Sequence, residues 1–148
     1  MTYEQALSKA AALCSSGEHC EKQIREKLEK WEVSEEDADR IIAHLIDEKY
    51  IDSARYCRAF VSDKLRYNHW GRFKLRMALR QLDLPDTDIR EALEAIDEEE
   101  YMEILNKVLD AKARTLRDSD PYIRTGKLLR FITSRGFEAD LARDLMED

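Results

Sequence analysis

Three arginines, Arg72, Arg76 and Arg80, recur at every fourth position of a stretch rich in Leu and Ala. On a helix they fall within about 80° of one another, beside the apolar face of Leu75, Ala78, Leu79 and Leu82. A guanidinium is a planar fork of N–H donors suited to phosphate or carboxylate, so such a column can grip a nucleic-acid backbone or an acidic protein patch. Lys74 lies in the same stretch. Arg55, Arg58 and Arg66 precede it, opposite an apolar stripe of Ala54, Cys57, Phe60, Val61 and Leu65. Tyr67, Trp70 and Phe73 sit around the connection between the two segments, where their rings can either stack on bases or pack between helices. A second basic group, Lys112, Arg114, Arg117, Arg124, Lys127, Arg130 and Arg135, reads as a continuation of the same surface or as a solvated helix face.

Residues with catalytic chemistry do not gather in this way. His19, His44 and His69 are far apart in the chain. Cys14 and Cys20 flank His19, but two thiols six positions apart match no standard zinc spacing. Cys57 falls on the apolar stripe, which suits a small core residue better than a nucleophile. Phosphate-cradling glycine loops and nucleophile elbows are missing from the sequence. The reading is of a protein that is not an enzyme and needs neither metal nor cofactor.

The net charge of −7 hides strong segregation. Residues 52–82 carry eight basic and two acidic groups, net +6, and residues 111–135 carry seven and two, net +5. Residues 83–110 between them are net −9. Alternating fields of this kind steer charged partners. Within the acidic segment, the run Asp97-Glu98-Glu99-Glu100 reads as a solvated helix start, favoured by the helix dipole.

The elements that must position these residues are helices. Hydrophobic residues make up 43% of the chain and charged ones 39%, against four Gly and two Pro, and alternating strand patterns are lacking. Thr2 with Gln5 and Ser34 with Asp37 fit capping boxes. Asp120-Pro121 and Pro85 fit helix starts with proline in the first turn. Asp52 with Arg55 reads as an N-cap and local ion pair, Gly71 as an inter-helix loop, and Gly136 as a left-handed helix end.

The apolar spacing of Ile24, Leu28 and Val33 returns at Leu75, Leu79 and Leu84, and again at Leu128, Ile132 and Phe137. Ile41-Ile42, Ala92-Leu93 and Leu145-Met146 follow at matching distances. The chain is therefore read as all-α: three tandem three-helix repeats over about 3–48, 52–96 and 98–147. The helices are placed near 3–15, 20–31, 35–48, 52–67, 72–82, 86–96, 98–117, 121–135 and 138–147. A tri-helical unit buries little alone, so the three are expected to stack into an elongated or curved array and depend on one another for stability.

The stretch Tyr50-Ile51-Asp52-Ser53-Ala54-Arg55-Tyr56-Cys57-Arg58-Ala59-Phe60-Val61 resembles the most recognisable signature of the RecX family. Gly71 to Arg80 is similar to that family's Gly-x-x-x-Ile-x-x-x-Leu helix. Ala6-Leu7, Glu21, Ile24 and Lys27-Leu28 match its first unit, so the resemblance spans about residues 6–137 in order. Ser53 departs from a usual Asp, Cys20 from a capping serine, and Glu32 and Asp83 from helix-ending glycines. The last two weaken the local stop signal. The resemblance implies an all-helical protein that binds the RecA filament on single-stranded DNA and restrains recombination, with some members binding DNA, duplex included, directly.

Three functions stay open at this point: a negative regulator of the RecA filament, a DNA-binding protein using the helix at 72–82 for recognition, and an adaptor for an acidic protein. The sequence start shows no basic segment leading into an apolar run, and no stretch is long enough to cross a bilayer. The expectation is a cytoplasmic monomer with no membrane contact.

Overall fold

Each of the three middle helices ends in the same hydrogen-bonded knot. Val33 N–H donates to Leu28 O (3.0 Å), Leu84 N–H to Leu79 O (3.4 Å) and Phe137 N–H to Ile132 O (3.1 Å). One residue earlier, Glu32, Asp83 and Gly136 donate to Glu29, Arg80 and Thr133, and all three adopt positive φ, at 60°, 57° and 91°. This is the Schellman end, closed by an apolar contact across the turn. Only the third unit uses glycine there. In the other two, Glu32 and Asp83 take the left-handed conformation without it, because the paired bonds and the buried Leu28 and Leu79 fix the turn.

The computed structural model describes residues 1–147, and among them the fold is all-helical. Unit one comprises α1 (Tyr3–Ser16), α2 (Glu21–Lys30) and α3 (Glu35–Asp47). Unit two comprises α4 (Ser53–Asn68), α5 (Arg72–Gln81) and α6 (Asp86–Glu94). Unit three comprises α7 (Glu98–Thr115), α8 (Pro121–Ser134) and α9 (Ala139–Glu147). Within each unit the three helices pack on one another.

Most helix starts follow the sequence reading. Thr2 and Gln5 exchange both capping-box bonds, at 3.1 and 2.9 Å. Asp120 accepts from Tyr122 N–H (2.9 Å) with Pro121 in the first turn. Ser34 accepts from Asp37 N–H (3.2 Å), but the Asp37 carboxylate, a methylene shorter than Glu, pairs with Arg40 rather than returning to the cap. Pro85 takes the N-cap position itself rather than the first turn. Asp52 caps α4 by accepting from Arg55 N–H (3.0 Å), while the Arg55 side chain pairs elsewhere.

The core is divided unequally. Units two and three share one continuous interior that includes Cys57, Leu75, Leu79, Tyr101, Leu105, Ile132 and Phe137. Unit one holds its own, with Ile24, Leu28, Ile41 and Leu45 among three small alanines. Mutual dependence therefore applies to units two and three, whereas unit one joins them through Cys20 and a set of polar bridges. Those bridges are Glu18 to Arg55, Lys22 Nζ to Asp83 (3.3 Å) and to Gln81 O (3.0 Å), and Gln23 to Tyr56 (3.3 Å). An exposed ion pair such as Lys22–Asp83 contributes at most about 1 kcal/mol. The accessible surface, 9400 Å², exceeds the roughly 7,900 Å² of a compact monomer of this size, in keeping with an extended array.

Candidate functional site

Helix α5 sets out the middle-unit arginines as its periodicity requires. Leu75 and Leu79 are buried, and Arg72, Arg76 and Arg80 line one groove of about 720 Å³ between α5, α6 and the start of α7. Its floor is Ile89, Leu93 and Ile96, and Arg90 adds a fourth guanidinium. Asp86, Glu94 and Glu98 also line it, so the groove is mixed in charge rather than uniformly basic.

The three arginines are not equivalent. Arg72 is largely enclosed, its side chain 21% exposed, and it binds Glu138 (2.6 Å) and Glu98 (2.8 Å) of unit three. Its guanidinium lies 3.9 Å from the Tyr101 ring centroid, and its backbone N–H donates to the Tyr101 hydroxyl (3.1 Å). That hydroxyl in turn donates to Glu138. Burial opposes the Arg72 charge, but the hydrogen bonds it donates to Glu138 and Glu98 outweigh it and hold the pKa above its ordinary value. Burial, then Glu138, pushes the Tyr101 phenol upward. Arg72 is thus a structural lock between units. Arg80 meets only Asp86, at 3.7 Å with both side chains exposed, and Arg76 makes no ion pair among the described residues.

The arginines of α4 do not join this groove. Arg55 turns to unit one, bound to Glu18 and donating to Lys49 O (3.0 Å) and Tyr50 O (3.2 Å). Arg66 grips Glu100 of unit three through two bonds of 2.6 and 3.1 Å. Glu98 and Glu100, read from sequence as a solvated helix start, are therefore recruited as partners for Arg72 and Arg66. Only Arg58 stays exposed and without an ion pair among the described residues, in a separate hollow between α4 and α6. One grip assembled from all the middle-unit arginines is not formed, because four of the sequence positions serve as joints or lie on another face.

The aromatic residues also separate. Trp70 is half-buried, edge-on to Phe60 (6.1 Å) and flanked by Lys64 and Lys74 at 5.1 and 4.6 Å, which makes it a packing residue. Tyr67 is 79% exposed and Phe73 62%. Phe73 and Met77, one turn apart and both exposed, put apolar surface beside the Arg72–Arg76–Arg80 column. The buried Tyr56 lies within the Tyr50–Val61 stretch, whereas no sequence pattern singles out the buried Tyr101, although it falls on the apolar face of α7 with Ile104, Leu105 and Val108.

The second basic group does not prolong the α5 column. Registered through their Schellman ends, α5 and α8 set Arg72, Arg76 and Arg80 against Thr125, Leu129 and Thr133. Arg124 closes the end of α7, donating to the carbonyls of Ala113 (3.2 Å), Leu116 (3.2 Å) and Asp118 (3.3 Å). Lys127 pairs with Asp118 (2.7 Å), whose carboxyl it holds below the ordinary range. Arg130 lies exposed on α8, and Arg135 lies 5.2 Å from the Phe131 centroid and reaches Asn68 O (3.5 Å). Among the described residues no set of His, Cys, Asp and Glu converges as a metal site, and no helix is long and apolar enough to cross a membrane.

Comparison with known proteins matches the two models that describe this arrangement of helices. Residues 6–45 match the first three-helix domain of RecX, and residues 52–93 match the second. The chain is 32% identical over 143 residues to the regulatory protein RecX of Leuconostoc mesenteroides, covering 97% of this chain and 54% of that one. It is 33% identical over 130 residues to that of Clostridium botulinum strain Alaska E43, covering 86% and 60%. The chain thus spans little more than half the length of these relatives. With the RecX of Chlorobium phaeobacteroides it shares 30% identity over 147 residues, covering 97% and 93%. A crystal structure of regulatory protein RecX superposes with a TM-score of 0.90 at 23% identity, over 99% of this chain and 72% of the other. That of RecX from Lactobacillus salivarius gives 0.87 at 17%, over 98% and 94%. The two matched domains, the near full-length relative and the shared fold agree: the chain belongs to the RecX family.

Proposed function

We propose that this chain regulates the RecA recombinase negatively, by seating itself on the RecA filament formed on single-stranded DNA. The observation that carries this is the surface of α5, where Arg76 and Arg80 stand beside the exposed Phe73 and Met77. Cations alone would suit a bare phosphate backbone, whereas cations beside exposed apolar side chains, facing a wall with Asp86 and Glu94, suit a mixed nucleoprotein surface. Lys74, Arg58, Arg130 and Tyr67 are secondary contacts on this reading. Arg55, Arg66, Arg72 and Arg124 support the binding units rather than touch the partner. The action is occupancy of a surface by a cytoplasmic monomer and requires no bond to be made or broken.

The test is charge reversal at Arg76 and Arg80 together, leaving Arg72 intact. Binding to RecA filaments and restraint of strand exchange should both weaken with the helical signal unchanged. Each lost phosphate contact should also flatten the salt dependence by about 0.7 in log–log slope for single-stranded DNA. Unchanged inhibition and an unchanged slope would sink this assignment of the surface. Equal binding to bare single-stranded DNA and to filament would favour the direct DNA-binding reading. Filament binding with no salt-dependent DNA contribution would favour the adaptor.

A further inference from the structure

A second surface lies between α7 and α8, where the C-terminal half of α7 runs beside Phe131 and Arg135, and His69 beyond the end of α4 closes one side. It is a groove of about 520 Å³. Val108, Ala111 and Phe131 supply an apolar lining, and Lys107, Lys112, Arg135 and His69 stand around it. Among the described residues no carboxylate lines it, in contrast with the α5 groove.

The positive charge here is held in place but not spent. Lys112 Nζ lies 4.8 Å and the Arg135 guanidinium 5.2 Å from the Phe131 centroid, and Arg135 also reaches the Asn68 carbonyl. Cations over a ring face are oriented by its quadrupole, at a modest energy that leaves their outward N–H groups available. Among the described residues Lys107, Lys112 and Arg135 make no ion pair, although Arg66, Arg72 and Lys127 nearby all do. In a chain of net charge −7, three uncommitted cations around an apolar lining are a local field in search of a negative partner.

We infer that the α7–α8 groove is a docking site for an acidic peptide segment carrying one bulky apolar side chain. The apolar side chain enters beside Val108 and Ala111, and carboxylates on either side of it meet Lys107, Lys112 and Arg135. The volume suits one or two large side chains and lies within the range for binding pockets. The same chemistry fits a nucleic acid less well. A base could stack on Phe131 only by displacing Lys112 or Arg135 from the ring, whereas a peptide side chain leaves both where they are. This site is separate from the α5 surface and does not depend on the function proposed for it.

The probe is a fluorescein-labelled peptide of about ten residues, rich in Asp and Glu with one central Phe, followed by anisotropy on the full chain. Saturable binding is expected, weakened about tenfold or more by Lys107→Glu with Lys112→Glu, as for loss of paired interface charges. Ala111→Glu, an exposed wall position, should weaken it in the same way, and so should replacing the peptide's Phe by Ala. Circular dichroism on each variant reports the fold, and the charge-neutral pair Lys107→Gln, Lys112→Gln repeats the test if the reversals melt the helix. Charge reversal at Arg76 and Arg80, which line the other groove and none of this one, should leave this binding within about twofold. The inference is overturned by absence of saturable binding, by equal affinity for the groove variants or for the Phe-less peptide, or by displacement with oligothymidylate, which would make nucleic acid the occupant.

Discussion

Gly71 and Gly136 meet backbone to backbone at the junction of the second and third units. Gly71 N–H donates to Arg135 O at 2.7 Å, and Phe73 N–H donates to Gly136 O at 3.0 Å. The start of α5 is thus hydrogen-bonded onto the end of α8, so the helix carrying Arg76 and Arg80 is oriented by unit three. A methyl group on Gly71 would overlap Gly136 C and Phe137 N, and one on Gly136 would overlap Lys74. These are backbone or rigid Cβ contacts, with no flexible side chain to give way.

Gly71→Ala should therefore lower stability by about 1–3 kcal/mol, the usual cost of overpacking. Gly136→Ala should cost more, because its φ of 91° is strained for any side chain. Gly17→Ala is the control, since a methyl there meets nothing within 4 Å. Urea melts of the three variants check this; equal midpoints for Gly71→Ala and Gly17→Ala would contradict it.

Leu79 and Leu28 are repeat equivalents and both fully buried. Truncation of either to Ala should cost about 2–5 kcal/mol locally, yet the consequences should differ. Leu79→Ala should destabilise units two and three together, because they share one interior. Leu28→Ala should accelerate amide hydrogen exchange in α1 to α3 while the slowest amides of α7 and α8 keep their protection. Loss of protection throughout the chain would show that unit one is not an independent cooperative unit.

Arg72 and Arg76, one turn apart on α5, should give opposite phenotypes. Tyr101→Phe or Arg72→Ala breaks the partly buried Arg72–Tyr101–Glu138 network and should cost about 1–3 kcal/mol, as for a polar group left without its partner. Arg76→Ala removes a half-buried side chain that makes no ion pair among the described residues, so it should cost no more than about 1 kcal/mol, and weaken filament binding instead. Denaturant midpoints read beside filament affinities separate the two.

Alkaline pH should expose the buried Cys57 thiol. Burial raises its pKa from 9.0 to about 11, with Asp88 and Cys20 adding to the rise. A group whose folded pKa lies above its unfolded one contributes stability that is present below pH 9 and lost as pH climbs toward 11. Stability should fall across that window, and Cys57→Ala should show a shallower fall despite a lower starting value. Thiol reagents should label Cys57 only at the rate of unfolding. Rapid labelling of the native protein would show that the thiol is accessible.

The sequence alone determined the helices, their order and their threefold repetition. Helix starts such as Thr2 with Gln5 and Asp120 with Pro121 involve partners within three residues, and the apolar spacing of Ile24, Leu28 and Val33 and its two copies is a property of a single helix and its end. Even the missing glycines at 32 and 83 did not hide the helix ends, because the flanking apolar residues reproduce the same turn. What only the tertiary structure decided is which cations are free. Arg72 and Arg76 have the same residue type, the same helix and nearly the same face. Arg72 is withdrawn from solvent by Glu98 and Glu138, which are 26 and 66 residues away in the chain. Arg66 is likewise taken by Glu100, 34 residues on, and Arg55 by Glu18, 37 residues back. Coulombic partners are chosen by distance in space, and no local pattern of charges carries that distance.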